Sequence, residues 1–452
     1  MGMRVTSPTG SADTLAVGIT GPVDGVEEAR ADFGRLAVWR DGDGRRVIGV
    51  GLGDDLNAER ARVAAAKVVG RAAELRTRVL EWRAPEGLAA PIAEGTLLAA
   101  YRHDRFRSRP SEDEGLAELQ IEGDVDRAVV VTEAANRCRD LQNAPANVMT
   151  PTALGEHALA LEGVRVEVEG MDGLDARGMG AFAAVARGSY EEPRLITLSY
   201  EPPDAVGPHL GLVGKAVTFD SGGISIKPSA SMADMKFDMS GGAAVIEAIG
   251  AIARLGLPVR VTGVVGATEN MPSGRSVRPS DVLTAMNGTT IEVINTDCEG
   301  RLVLADCLAH AVDLGAERIV DLATLTGAMA SFLGKTYAGL LANDDAWAGA
   351  IVAAGDRTGE LSWRLPLHDE YSELIKGSTG DIVNLNEPRR AGAITAAHFL
   401  QRFVGDVPWG HLDIAGVADN LGRAYAAKGG SGWGVRMLVD LADHVAQDSG
   451  SA

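Results

Sequence analysis

Cysteine is scarce in this chain of 452 residues: Cys138, Cys298 and Cys307 stand far apart, and no CxxC pair occurs. A disulfide framework is excluded, and a reducing compartment fits best. Positive charge is in deficit. The formal net charge of -19 disfavours nucleic acid and anionic membrane as bulk partners. No run of about 18 apolar residues exists to cross a membrane. Residues 1–22 hold no apolar core of the secretory kind, so a cytoplasmic location is expected. Common catalytic signatures are missing as well. There is no HExxH, which removes a single-zinc metalloprotease of that type, and no GxSxG nucleophile elbow. Six residues separate Gly327 from Gly334-Lys335-Thr336, where a P-loop needs four.

The apolar share, 46%, is that of a folded soluble protein. The length predicts two domains rather than one core. The first part alternates strand signals (15–19, 47–51, 116–121) with a helix capped by Asn57 and a second one through Arg139. The proline- and asparagine-rich stretch 143–151 then punctuates the chain. It sets the expected boundary between an N-terminal α/β domain plus linker, 1–150, and a larger C-terminal domain, 151–452. There, strands over 210–218, 259–265, 291–296 and 319–325 alternate with helices over 240–255 and 299–314. The expected fold class is α/β, the larger domain carrying a mostly parallel or mixed central sheet covered by helices.

Ligands of doubly wound sheets gather at the carboxyl ends of strands. Three polar clusters are candidates for such places: 214–223 continuing to Lys227, 235–242, and 295–302. They contain Asp220, Asp238, Asp297 and Glu299, acids set among apolar residues and glycine. Four converging carboxylates would repel one another, and two divalent cations would cancel their charge. Oxygen-rich sites of this kind suit Mg, Mn or Zn. Each acid also has a plainer reading. Asp238 could cap a helix starting at Ser240. Asp297 and Glu299 could serve the helix dipole at a strand-to-helix turn.

The stretch Asn295-Thr296-Asp297-Cys298-Glu299-Gly300-Arg301-Leu302 resembles the signature octapeptide of the leucyl aminopeptidase (cytosol aminopeptidase) family, with one change. Residues 213–245, 269–274, 278–279, 323–327, 391–397 and 411–416 resemble further family blocks in the right order. The similarity runs from about Arg139 to Leu441 and makes 151–452 a catalytic metallopeptidase domain. It implies a leucyl aminopeptidase-type metallo-exopeptidase, a hydrolase releasing N-terminal amino acids, with leucine-like preference, from peptides with a free N-terminus. It implies two divalent ions per subunit, Mn2+ or Zn2+, with Mg2+ as a further candidate. By similarity Lys215, Asp220, Asp238 and Glu299 would hold one ion. Asp220, Asp297 and Glu299 would hold the other, joined by the Asp297 carbonyl. Lys215 would then have to be neutral, since an ammonium has no lone pair; the plainer reading is an ion pair with a carboxylate. Lys227 would stay charged and donate to the developing oxyanion. Arg301 would hold a bicarbonate that shuttles a proton, its planar fork matching that anion, unless it forms a salt bridge to Asp297 or Glu299. Met235 and Thr324 resemble residues of the side-chain pocket, though Met235 is equally a core candidate. Leu325 and Gly327 would offer backbone hydrogen bonds to the substrate. The resemblance also implies a homohexamer.

Cys298 stands where the family usually has Ala. It reads as a small apolar substitute or as an oxidation-sensitive thiol. The loop 429–432 also differs slightly. These departures leave metal preference and substrate range open, with a cysteinyl-glycine dipeptidase as an alternative main activity. A further DNA-binding role would rest on Arg60, Arg62, Lys67, Arg71, Arg76 and Arg78, in or just beyond one helix, and on Arg102, Arg105, Arg107 and Arg109. A charge run is usually a solvated face, so nucleic acid is not expected as a partner.

Overall fold

A computed structural model describes residues 3–109, 115–230, 232–388 and 390–447. The chain divides into two compact units, one running to Asn136 plus 422–428, the other from Arg137 to Leu421 and from Gly429 onward. The division falls inside a helix, and the stretch 143–151 belongs to the second unit. Among the described residues no helix is long and apolar enough to cross a membrane.

In the first unit β1 (Arg4–Thr6), β2 (Thr14–Ile19), β3 (Leu36–Arg40), β4 (Arg46–Gly51), β5 (Val79–Arg83) and β6 (Glu118–Ile121) form one sheet, ordered β1-β6-β5-β2-β4-β3. All pairs are parallel except β3 with β4. Two helices, α1 (Ala58–Glu74) and α2 (Ala89–Ala99), complete it. The Asn57 side chain accepts the Arg60 N–H at 3.0 Å, which fixes where α1 begins. Ala61, Ala64, Ala65 and Val68 of α1 bury against Ile48, Leu80 and Leu119. The three arginines of α1 are tied to acids: Arg62 to Glu59 and Glu94, Arg60 to Asp55, Arg71 to Glu74.

The helix α3 (Asp126–Asn143) leads into the second unit. In chain order follow α4 (Pro151–Leu159), β7 (Arg165–Glu169), α5 (Met171–Ala176), α6 (Gly180–Ala186), β8 (Arg194–Tyr200), β9 (Leu210–Asp220), α7 (Ser240–Leu255) and β10 (Val261–Asn270). Then come β11 (Val282–Thr284), β12 (Thr290–Glu292), α8 (Glu299–Asp313), β13 (Arg318–Ala323), α9 (Gly327–Leu333), β14 (Ala338–Ala342) and α10 (Asp345–Thr358). The last are β15 (Ser362–Arg364), β16 (Ile382–Val383), α11 (Gly392–Gln401), β17 (Trp409–Asp413) and α12 (Val435–Gln447). Eight strands make the central sheet, ordered β15-β14-β17-β13-β9-β10-β8-β7. Its middle, β17-β13-β9-β10, is parallel, while β14 and β8 pair antiparallel with their inner neighbours, so the sheet is mixed.

One expected strand changes role. The segment 291–296 supplies only β12, in a separate three-stranded sheet with β11 and β16. The side chain of Asn384 takes over the main chain beyond it, accepting from the N–H groups of Ile294 at 2.7 Å and Asn295 at 3.3 Å. That withdraws Ile294 and Asn295 from the ladder, while the Val293 N–H still donates to the Asp281 carbonyl at 2.9 Å.

Successive strand residues point to opposite faces, so Gly214 meets α7 and Lys215 meets α8. Neither contact leaves room for a Cβ at its glycine. A Cβ on Gly214 would lie 2.6 Å from Gly242 Cα, and one on Gly241 would lie 2.0 Å from the Leu322 carbonyl oxygen. A Cβ on Gly300 would lie 2.6 Å from Lys215 Nζ. Glycine at these points lets the N-termini of α7 and α8 close on the strand ends. Gly241→Ala is therefore expected to cost about 1–3 kcal/mol or more through overpacking. Urea unfolding checks this, and a variant as stable as the parent refutes it.

Asp306 of α8 is fully buried and accepts main-chain N–H bonds from Phe182 and Met286, each at 2.8 Å. Burial pushes its carboxyl up to about 7, against the pull of those donors. The folded protein keeps a proton that the unfolded chain releases near 3.8. This group therefore lowers stability as pH rises from about 4 to about 7. Asp306→Asn is expected to flatten that part of the stability-pH curve in thermal unfolding, and an unchanged slope counts against the assignment.

Candidate active site

The four inner parallel strands end side by side, and the three polar segments gather over those ends. Lys215, on β9, is buried. Its Nζ lies 2.8 Å from Asp238 Oδ1 and 2.8 Å from Glu299 Oε1, and it donates to the Thr324 carbonyl at 3.1 Å. Lys227 Nζ lies 2.8 Å from Asp220 Oδ2 and 2.5 Å from Asp297 Oδ1. Carboxylate oxygens of Asp220, Asp297 and Glu299 fall within 4.8 Å of one another. All five ligand candidates and Lys227 thus share one cluster.

Neutral side chains hold the acids in place. Asn270 ends β10 opposite Asp220 in register. Its Nδ2 donates to Asp220 Oδ1 at 2.8 Å and to the Thr296 carbonyl at 3.0 Å. Thr296 Oγ1 in turn donates to the Gly222 carbonyl at 2.6 Å and accepts from the Ser225 N–H at 2.8 Å. The turn after Asp220 passes through Gly222 and Gly223, both at positive φ. A Cβ on Gly223 would also lie 2.7 Å from Asn270 Oδ1. Among candidate side chains, sequence reasoning missed Asn270, Thr296 and Asn384. Amides and hydroxyls are common, and only the meeting of distant strand ends gives these a task.

Electrostatics show how little the two ammonium groups achieve against four acids. Burial pushes Asp220 up to about 6, with the Glu299 carboxylate adding to it and Lys215 and Lys227 opposing. Burial drives Asp238 well above the carboxylate range despite Lys215. Asp297 is raised by burial against the pull of Lys227. Glu299 is also buried, but Lys215 and Lys227 outweigh that and hold it below its ordinary value. Burial works against the Lys215 charge, yet Asp238, Glu299 and Asp220 keep its ammonium above the ordinary lysine value. The same balance, led by Asp220, holds for Lys227.

The plainer readings divide. Lys215 is here the ion pair. Asp238 is no helix cap: the N-cap of α7 is Met239, without a side-chain cap bond, and Asp238 turns instead to Lys215 and to the Thr324 hydroxyl at 2.7 Å. Arg301 forms no salt bridge to Asp297 or Glu299. One of its terminal nitrogens donates to the Asn384 carbonyl at 2.6 Å, while its Nε is buried without a partner. Cys298 is half-buried at the N-cap of α8 and its side chain does not cap. Met235 is half-buried in a 3-10 turn just before Asp238. Thr324 joins the cluster directly. The Leu325 N–H donates to Asp413 at 3.2 Å, so its carbonyl is the group it can offer a ligand. Gly327 is exposed at the start of α9.

The donor set fits divalent cations. Asp238 Oδ2 is buried without a hydrogen-bond partner. Hard carboxylate oxygens with one amine suit Mn, Mg or Zn.

Comparison with known proteins agrees. The model for the cytosol aminopeptidase family's catalytic domain matches residues 136–439, and that for its N-terminal domain matches 35–110. A probable cytosol aminopeptidase of Roseiflexus castenholzii is 44% identical over 421 residues, covering 87% of this chain and 86% of that protein. One from Koribacter versatilis is 48% identical over 373 residues, 79% of this chain and 72% of that protein. The solved bottromycin maturation enzyme BotP, in complex with Mn, superimposes with a TM-score of 0.90 at 38% identity. That match covers 96% of this chain and 100% of that one. Matches to both domain models, and relatives this similar along most of their length, make this chain a member of the cytosol aminopeptidase family, and with it a peptidase.

Proposed function

We propose that the protein is a two-metal aminopeptidase that releases N-terminal amino acids, leucine-like ones by preference, from peptides with a free α-amine. The observation that carries this reading is the meeting of Asp220, Asp297 and Glu299 oxygens within 4.8 Å, beside the buried Lys215-Asp238 pair. In this reading Lys215, Asp220, Asp238 and Glu299 hold one cation. Asp220, Asp297 and Glu299 hold the other. Mn2+ or Zn2+ is the expected pair, with Mg2+ a third candidate. When bound, the two ions would supply Lewis-acid activation of a water and a seat for the free amine.

The chain's own groups do the rest. Lys227 is only 21% exposed and already sits between two acids at the cluster. Its ammonium donates to charge developing on the scissile carbonyl oxygen, where scarce water makes the interaction strong. Arg301, its Nε uncommitted, holds bicarbonate as proton carrier. The Leu325 carbonyl and Gly327 N–H bind the substrate backbone, and Met235 and Thr324 face its side chain. We place the enzyme in the cytoplasm, in keeping with three cysteines that form no disulfide. Exposed Phe332 and Trp363 fit burial between copies in a homohexamer. The paired arginines of α1 weigh against a phosphate-binding stripe there.

Metal-stripped protein is expected to lose hydrolysis of aminoacyl amides and to regain it with Mn2+ or Zn2+, while N-acetylated substrates stay uncleaved. Equal cleavage of blocked and free substrates sinks the aminopeptidase reading. Lys227→Ala is expected to lower kcat by roughly 100- to 1,000-fold with metal content unchanged. Steady-state kinetics beside elemental analysis decides this, and a kcat near that of the parent removes Lys227 from the chemistry.

A further inference from the structure

Asp413 ends β17 and is only 1% exposed. It lies opposite Ala323, the last residue of β13, in register. Its carboxylate takes four donors. Oδ1 accepts the N–H groups of Leu325 at 3.2 Å, Thr326 at 3.4 Å and Ala415 at 3.2 Å. Oδ2 accepts the Thr326 hydroxyl at 2.6 Å. That hydroxyl works in both directions, because its oxygen also accepts the Met329 N–H at 3.3 Å and caps α9.

The turn so gripped is the one that reaches the acid cluster without contributing an acid. Thr324, its first residue, gives its hydroxyl to Asp238 and its carbonyl to Lys215. One side of the turn is therefore held by the candidate metal ligands and the other by Asp413. Between the two clamps lie the main-chain groups of Leu325 and, just beyond, Gly327. A buried carboxylate is costly to desolvate unless its oxygens are satisfied. Few other side chains offer two oxygens with room for four donors. An asparagine at this position keeps one acceptor and aims its NH2 at the Thr326 hydroxyl proton.

We propose that Asp413, acting through Thr326, is a positioning residue that aims the 324–327 turn at the substrate backbone and so sets substrate binding. This rests on the aminopeptidase reading above. The substrate-facing groups are main-chain atoms, which no side-chain substitution at Leu325 or Gly327 short of proline removes. Their placement is decided from β17, almost 90 residues along the chain from the turn.

The test compares the parent with Asp413→Asn, Thr326→Val and Thr326→Ser on one free-amine aminoacyl amide, with Mn2+ content and thermal unfolding temperature measured for each. Asp413→Asn and Thr326→Val are expected to raise KM roughly tenfold or more, with kcat within about threefold of the parent. Thr326→Ser, which keeps the hydroxyl, is expected to return KM to near the parent value. A lowered unfolding temperature with KM unchanged makes Asp413 a purely structural cap and overturns the proposal. So does a loss confined to kcat and Mn2+ content. Should Asp413→Asn fail to fold, the two Thr326 variants decide by the same split. A parent enzyme that cleaves no free-amine substrate defeats the functional reading itself, and the proposal with it. An active parent with indifferent variants defeats the proposal alone.

Discussion

Carboxylates crowded into a dry cavity repel one another and resist losing their water. That constraint governs the active region of this protein. Asp220, Asp238 and Glu299 are almost wholly buried at the end of β9, just before α7 and at the start of α8. Lys215 and Lys227 are interleaved with them, each ammonium bridging two acids. Burial, with two positive charges against four negative ones, leaves Asp220 and Asp238 pushed towards their protonated forms. A cavity with that imbalance has a strong electrostatic preference for added cations.

The surrounding fold holds such a cluster largely out of solvent. Main-chain approach does what side chains could not. Gly214, Gly241 and Gly242 draw α7 against the sheet, and Gly300 makes space for the Lys215 side chain on the opposite face. A parallel centre is what brings β9, β10, β13 and β17 to a common end. Each contributes a polar residue there: Asp220, Asn270, the Thr324 turn and Asp413. The acids stand in front, and a layer of amides and hydroxyls fixes their angles. Such outer partners commonly tune a metal site as much as its ligands do.

Lys215 shows why one residue can support two descriptions. With only protein around it, its ammonium is the counter-charge that makes burial of Asp238 and Glu299 tolerable. As a ligand it would have to give up that proton, and added cations supply the positive charge that makes the loss favourable. The family to which the chain belongs is recognised from both domains, while the details of this cluster rest on its own geometry.

Much of this could be read from the chain itself. Ser240–Leu255 was legible as a helix because its apolar residues recur on one face and Gly256 stops it in a left-handed conformation. Asn57 announced α1 through a local bond. The octapeptide 295–302 was legible because its acids and Arg301 are contiguous, and contiguity survives any fold. What could not be read was set by distance along the chain. The strand expected over 291–296 stops at Glu292 because Asn384, some 90 residues on, takes its donors. Asn270 and Asp413 look like ordinary polar residues until their strands end beside β9 and β13. The sequence by itself determined the two-domain α/β class, the family and the identity of the charged residues, since those depend on local pattern and composition. Only the tertiary structure decided which acid meets which lysine, that Asp238 turns away from its helix, and that a carboxylate on β17 grips the turn after β13. Those outcomes depend on strand order and close helix packing, which are properties of long-range contact rather than of neighbouring residues.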